Sequence, residues 1–385
     1  MSYLLHIATA VPEFKVEKED LLNFYSRSVV TEEPERFAQK LAFLDRKTKI
    51  DTRYSCLPDF KGERYELFTD GKYDQPVEKR MAIYREKIVP LSSKAIDRVF
   101  AESHTRPTDV THLITVSCTG LFAPGLEFLL AEQYGLQHTE KTALNFLGCY
   151  AAIKALKQAH YIAQADPGAC ILIVSAELCS LHFHPSTWDD ELISNLLFSD
   201  GAAAVLMCGA KNKLTENKVL LQMEAIGSAF IPNTSDLMTW AISSSAFKMH
   251  LSSEVVQAIK GSIRMAIEDF AGEFLDETDY WAIHPGGVKI VEAVQQSLAL
   301  DAPQVADSLS VLQDYGNMSS PTVLFILNKI FQRLRQAQEP AQKNILACAF
   351  GPGLTIELLR LSSVDTRVQI PITSLAQDVV SAPLL

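Results

Sequence analysis

The side chains best suited to nucleophilic acyl transfer in this 385-residue chain are Cys149, His284 and Asn317, each beside a glycine-containing turn. Cys149 follows Gly148, His284 opens His284-Pro285-Gly286-Gly287, and Asn317 lies in Tyr315-Gly316-Asn317-Met318. A thiol needs only a base or a favourable field to become a strong nucleophile. The N-terminus of a helix supplies such a field and favours thiolate. An imidazole within reach can take the thiol proton, and a neutral His or an Asn amide can donate to an oxygen on which charge develops. Groups of this kind lie far apart in sequence and meet only in the fold. The pattern therefore predicts a Cys149 thiol of lowered pKa paired with His284. Each residue has a structural alternative. A Cys in an apolar run is commonly a small buried hydrophobe, the role assigned to Cys56, Cys170, Cys208 and Cys348. An Asn after Gly is commonly a turn residue. Cys179, His182 and His184 have metal-ligand types but neither a fourth ligand nor an established spacing, so no metal site is assigned.

The elements that must position these residues repeat. Three times an apolar segment is followed by a loop with one reactive or polar residue and then by a helix. The first is the strand 142–147, Gly148-Cys149 and a helix over 151–165. The second is the strand 280–283, the His284 loop and a helix over 288–300. The third is 315–318, then Ser319 and Ser320 as N-cap with Pro321 at the first turn, and a helix over 322–335. Further strands are expected over 3–10 and 113–116, and helices over 18–28, 89–100 and 126–134, the last stopped by Gly135. Residues 32–90, dense in charge of both signs, read as short helices and surface loops. Strands alternating with helices indicate an α/β fold. Glycine-containing turns leading into apolar strands at 198–207 and 349–358 hint at duplication, with the polar stretch 210–219 as the seam. This divides the chain into an N-terminal half, 1–210, carrying the Cys and a C-terminal half, 220–385, carrying the His and Asn.

Composition limits the alternatives. Hydrophobic residues make up 48% and charged residues 21%, which excludes disordered and collagen-like classes. Lys and Arg number 35 against 46 Asp and Glu, a net charge of −11, so nucleic acid is not an expected partner. Seven cysteines without a CxxC pair argue against a disulfide framework and for reduced thiols in the cytoplasm. The N-terminus meets Glu13 early and lacks a basic region, so no signal peptide is expected. The longest uncharged stretch, 111–126, is broken by Gly120, Pro124 and Gly125, so no membrane span is expected.

Gly148-Cys149-Tyr150-Ala151, Ile283-His284-Pro285-Gly286-Gly287, Tyr315-Gly316-Asn317-Met318-Ser319-Ser320 and Phe350-Gly351-Pro352-Gly353 resemble the motifs of type III polyketide synthases, the chalcone synthase-like family, of bacterial type. The separations agree as well, with His284 135 residues after Cys149 and Asn317 33 residues after His284. Two further segments match, around Cys118-Thr119-Gly120 and Phe198-Ser199-Asp200-Gly201. The resemblance spans about residues 3–360.

The resemblance implies a thiolase-like fold, two duplicated halves in a layered α-β-α-β-α arrangement, and a homodimer. Cys149 would take the acyl group of an acyl-CoA starter. His284 and Asn317 would stabilise the enolate formed as malonyl-CoA decarboxylates, and then the tetrahedral species as it attacks the Cys149 thioester. No metal or redox cofactor is implied, and the CoA thioesters are substrates. Iterative extension would end in cyclisation to a pyrone or phenolic product. Phe198 matches one aromatic gatekeeper and Met249 stands at the other, with Phe247 two residues earlier. Cys118, Thr119, Cys179, His182, Ser319 and Phe350 match cavity positions, His182 replacing a smaller polar residue. Lys40 and Lys47 match two basic CoA positions, Phe43 stands at the third, and Lys289 is a candidate substitute. Met249 with the small Ala123, Ala152 and Ser245 suggests room for a long aliphatic starter. The alternatives are a ketoacyl-ACP synthase III-like condensing enzyme, which would carry His-Gln-Ala-Asn where this chain has His284-Pro285-Gly286-Gly287, an HMG-CoA synthase-like enzyme, and a non-catalytic protein of the same fold.

Overall fold

The computed structural model describes residues 1–337 and 342–367. The strands are β1 (Ser2–Ala10), β2 (Phe14–Glu17), β3 (Thr52–Ser55), β4 (His112–Ser117), β5 (Glu140–Asn145), β6 (Cys170–Leu178), β7 (Asp200–Gly209), β8 (Val219–Phe230), β9 (Met238–Ile242), β10 (Phe247–Leu251), β11 (Thr278–Ile283), β12 (Asn344–Gly351) and β13 (Thr355–Asp365). The helices are α1 (Lys18–Ser28), α2 (Pro34–Thr48), α3 (Val77–Ser103), α4 (Leu126–Tyr134), α5 (Ala151–Ala165), α6 (Asp189–Leu197), α7 (Val255–Ala271), α8 (Val288–Leu298), α9 (Ala302–Tyr315) and α10 (Thr322–Gln336).

Nine strands form one sheet in the order β11-β12-β13-β8-β1-β7-β6-β4-β5. From β1 outward, β7 and β6 pair antiparallel and β4 pairs parallel with β6. From β8 outward, β13 and β12 pair antiparallel and β11 pairs parallel with β12. One pairing scheme is thus used twice, and the copies meet where Tyr3 and Leu4 pair with Gln222 and Leu221. Residues 210–218 connect β7 to β8.

The strands are buried on both faces, and their alternation sorts side chains into separate cores. Leu172 and Val174 face one core with α1, α3 and α4, whereas Ile171 and Ile173 face a second with α5 and α10. On β12, Ile345 and Ala347 face that second core, and Leu346 and Cys348 face a third with α7 and α8. The layers are therefore α-β-α-β-α, the thiolase-like arrangement, with α5 and α10 in the middle. Those are the helices that follow Cys149 and Asn317.

Three expectations need correction. Residues 32–90 hold more helix than expected: α2 has 15 residues, and α3 has 27 and passes through Pro90. The sequence places the start of that helix at 89 because a proline normally ends one. Packing of its buried face on β1 and β7 carries it through. Residues 315–317 are not a strand; they end α9, where Gly316 at φ +71° stops the helix. Ser319 and Ser320 do not cap α10 either, since Pro321 holds the cap position.

The segment 57–76 packs into the first core. The buried Asp59 carboxylate accepts the backbone N–H groups of Glu66, Leu67 and Phe68 at 2.9, 3.1 and 2.7 Å. That anchor tucks Phe60 and Phe68 against Phe24. The tail from 368 onward lies outside the described residues.

Candidate active site

Cys149 sits two residues before α5, on a turn built to expose it. Phe146 and Gly148 have positive φ, at 63° and 88°. A Cβ at Gly148 would lie 2.5 Å from Cδ of Pro352, so only glycine fits. The Gly148 N–H donates to Sγ of Cys118 at 3.0 Å. Cys118 thus fixes the loop before the nucleophile.

Asn317 is held beside Phe198. Its N–H donates to the Leu197 carbonyl, and its carbonyl accepts the Ser199 N–H, both at 2.9 Å. Its side-chain oxygen accepts the Ser319 N–H at 2.8 Å and the Thr322 hydroxyl at 3.5 Å. Both partners are donors, so the amide orientation is fixed and the NH₂ group is left to donate elsewhere. His284 follows β11; its N–H donates to the Cys348 carbonyl at 2.8 Å. Its ring is buried, and neither ring nitrogen has a hydrogen-bond partner among the described residues.

Two cavities meet at Cys149. The outer one is lined by His284, Asn317, Phe350, Lys47 and Lys289, and the inner one by Cys118, Thr119, Cys179, His182, Phe247 and Ser319. Cys149, Phe198, Met238 and Met249 line both, so Phe198 and Met249, the positions expected to be gatekeepers, stand at the junction. The water-accessible volume is about 250 Å³ in the outer cavity and about 60 Å³ in the inner.

The inner cavity is narrowed by an interlocked aromatic group. His182 stacks on Phe247 with ring centroids 4.4 Å apart and planes at 11°, and Trp240 meets both edge-on. The Phe247 N–H donates to Nδ1 of His182 at 3.0 Å, which leaves Nε2 to donate to the Thr119 carbonyl at 2.7 Å. Trp240 Nε1 donates to the Cys118 carbonyl at 2.8 Å. Ala123, Ala152 and Ser245 line neither cavity, so they do not supply the room expected for a long starter. Trp240 and Met238 were not legible as site residues; nothing in the spacing around the hairpin marks them.

A buried carboxylate was also missed. Glu177 accepts the Cys118 N–H at 2.8 Å and the Thr119 hydroxyl at 2.7 Å, and it also accepts from Ser320. Burial raises it to about 7. A lone Glu inside the apolar run of β6 was the available signal.

The charge states differ from the expectation. Burial pushes the Cys149 thiol up to about 11 and holds the His284 imidazole down at about 3. The resting pair is a neutral thiol and a neutral imidazole, because burial of the thiol outweighs the hydrogen bonds that Ser319 and Asn317 offer its sulfur and burial of the imidazole is unopposed. Cys149 is within 3.5 Å of the Ser319 hydroxyl.

Of the expected CoA lysines, Lys47 and Lys289 lie on the outer cavity. Lys40 does not; it donates to the Thr187 carbonyl at 3.0 Å and pairs with Asp189. No group of three or more His, Cys, Asp or Glu among the described residues could hold a metal, and Cys179, His182 and His184 do not form one. No helix among the described residues is long and apolar enough to cross a membrane.

Residues 1–211 match the family model for the N-terminal domain of chalcone and stilbene synthases, and residues 222–365 match that for the C-terminal domain. Similar proteins include type III polyketide synthase A of Arabidopsis thaliana, 29% identical over 372 residues and covering 94% of this chain and 93% of that one. Type III polyketide synthase 21 of Oryza sativa subsp. japonica is 29% identical over 373 residues, covering 94% of each. The crystal structure of PKS-I from the brown alga Ectocarpus siliculosus superposes with a TM-score of 0.88 at 29% identity, covering 94% of this chain and 98% of that one. The C-terminal type III polyketide synthase domain of Steely1 from Dictyostelium has a TM-score of 0.84 at 24% identity, covering 94% and 99%, a likeness of fold alone.

Proposed function

This chain belongs to the chalcone and stilbene synthase family, the type III polyketide synthases, and we propose that it condenses malonyl-CoA units onto an acyl-CoA starter held on Cys149. Membership makes it an acyltransferase-type condensing enzyme. The observation that carries the finer reading is the junction, where Cys149 touches both an outer cavity with two lysines and an inner chamber closed by aromatic rings.

The cycle follows from the groups present. Neutral His284 has one ring nitrogen able to accept a proton and one able to donate. It takes the proton of Cys149 as sulfur attacks the starter thioester; the S–C bond forms and CoA leaves with the proton. Malonyl-CoA then loses CO₂ as its C–C bond breaks. The resulting enolate oxygen is met by N–H donors from His284 and Asn317, an oxyanion site in a water-poor cavity. The enolate carbon attacks the carbonyl carbon of the Cys149 thioester, the C–S bond to Cys149 breaks and the thiolate regains a proton. The extended chain, now a 3-ketoacyl-CoA, is taken back by the Cys149 thiol with release of CoA for the next round. Decarboxylation of this kind requires donors for an oxyanion and no metal or redox group, so we assign none.

The narrow inner chamber, walled by His182, Trp240 and Phe247, supports a small number of extensions before cyclisation to a pyrone or phenol. Seven free, buried thiols support a reducing, cytoplasmic setting. The sheet ends on β5, an edge strand with exposed Glu140, Ala143 and Asn145, beside α4 and its exposed Phe128. Such an edge supports a homodimer that covers it.

Incubation with a panel of acyl-CoA starters and malonyl-CoA, with product masses read out, tests the reading. CoA release and chain extension should appear in the wild type and be lost in Cys149→Ala. Condensation persisting in that variant would sink the assignment, and extension from malonyl-ACP alone would favour a ketoacyl-ACP synthase III-like role.

A further inference from the structure

Position 43 on α2 carries a phenylalanine that is 49% exposed. One helical turn later, Lys47 folds back so that Nζ lies 4.1 Å from the Phe43 ring centroid. Lys47 lines the outer cavity together with Leu44 and Thr48 of the same helix, Asp190 of α6 and Lys289 of α8. The end of α2 is tied to α8 by the Lys49–Glu292 ion pair at 3.3 Å, which fixes the two rims of the cavity relative to each other. Neither Lys47 nor Lys289 forms an ion pair among the described residues, whereas Lys40 is engaged by Asp189.

A free lysine side chain samples many rotamers, and ordering it on binding opposes affinity. An ammonium placed over a ring face is held by the ring quadrupole, an interaction of about 0.5–1 kcal/mol at exposed sites. We propose that Phe43 is a positioning residue for the polyanionic end of the CoA thioester: its ring holds the Lys47 ammonium at the cavity mouth before the ligand arrives. Phe43 carries no charge to offer a phosphate. Its contribution is to reduce the freedom that Lys47 loses when a phosphate binds. The inference rests on the CoA-thioester reading above.

Titration calorimetry with CoA tests it on the whole chain. Phe43→Leu should weaken CoA binding about two- to fivefold, the range that 0.5–1 kcal/mol gives. Phe43→Tyr, which keeps a ring face, should bind like the wild type. Lys47→Ala should weaken binding on its own, and Phe43→Leu should add nothing in that background, since the ring acts through the lysine. The exposed position lets all variants fold, which equal melting temperatures would verify. Full additivity of the two substitutions, or no effect of Phe43→Leu, would overturn the role of Phe43 while leaving CoA binding intact. A wild-type chain that does not bind CoA would overturn both this inference and the reading beneath it.

Discussion

Glu177 shows how a single residue couples the wall of the chamber to pH. Its carboxylate is fully buried, and burial lifts it from an ordinary 4.5 to about 7. Donors from Cys118, Thr119, Ser117 and Ser320 offset part of that penalty. The sign follows from linkage. An acid whose folded value is raised keeps its proton in the folded chain while the unfolded chain has already lost it, so stability falls as pH rises from about 4.5 through about 7. The full difference amounts to about 3 kcal/mol. Asp200, raised to about 6 by burial, acts in the same direction but is unchanged in a Glu177 variant. Glu177→Gln should therefore gain melting temperature relative to the wild type as pH is raised from 5 to 8.5, with little gain at the acid end. Parallel curves of melting temperature against pH for the two proteins would show that Glu177 does not titrate in this range. The same balance governs Cys149 and His284, where burial sets the resting charge.

At the scale of elements, the strand-turn-helix units are what place the chemistry, and their turns leave no slack. Gly148 adopts φ +88°, and any side chain there would meet the Pro352 ring 2.5 Å away. Gly148→Ala should cost about 1–2 kcal/mol in backbone strain and displace Cys149 from the cavity junction. Condensing activity should fall about a hundredfold, the scale of a roughly 1 Å misplacement, while the circular dichroism spectrum stays native. An Ala variant with near wild-type turnover would mean that the loop has freedom the packing does not suggest. Units of this sort are legible in sequence because alternation, glycine and the reactive residue all lie within a few positions. The strands before Cys149 and His284 and the helices after them were readable for that reason. The approach to Asn317 was not, because Tyr315 ends a helix whose stop depends on Gly316. Nor was α3, whose course through Pro90 is decided by the sheet it covers. Trp240 was hidden for a similar reason: it joins the chamber through a hairpin that brings it to the Cys118 carbonyl across 122 residues of sequence.

Across the described residues, the two copies of the sheet scheme share little backbone pairing: two residue pairs between β1 and β8, and the bridge between Phe198 and Asn317 at the site. What binds them is the middle layer, where α5 of the first half and α10 of the second share one core. A charged tie runs through it. Lys157 on α5 pairs with the fully buried Glu357 of β13 and donates to the Gly227 carbonyl of β8. Lys154 adds a second contact to Glu357 at 2.7 Å, and the Ser228 hydroxyl a third at 2.7 Å. A buried ion pair is weak evidence for net stability, but removing one partner strands the other charge. Lys154 still compensates part of the Glu357 charge, so Lys157→Ala should lower the free energy of unfolding in urea by about 1.5–3 kcal/mol, less than a fully stranded carboxylate would. Lys157→Met combined with Glu357→Gln should recover more than half of that, since no uncompensated charge remains. Because the shared core joins the halves, the wild type should unfold in one transition with coincident fluorescence and circular dichroism curves. Lys157→Ala should keep the single transition but shift its midpoint. Two separated transitions in the wild type would mean that the halves fold as independent units, and the catalytic geometry at their junction would then rest on docking instead of on a common core.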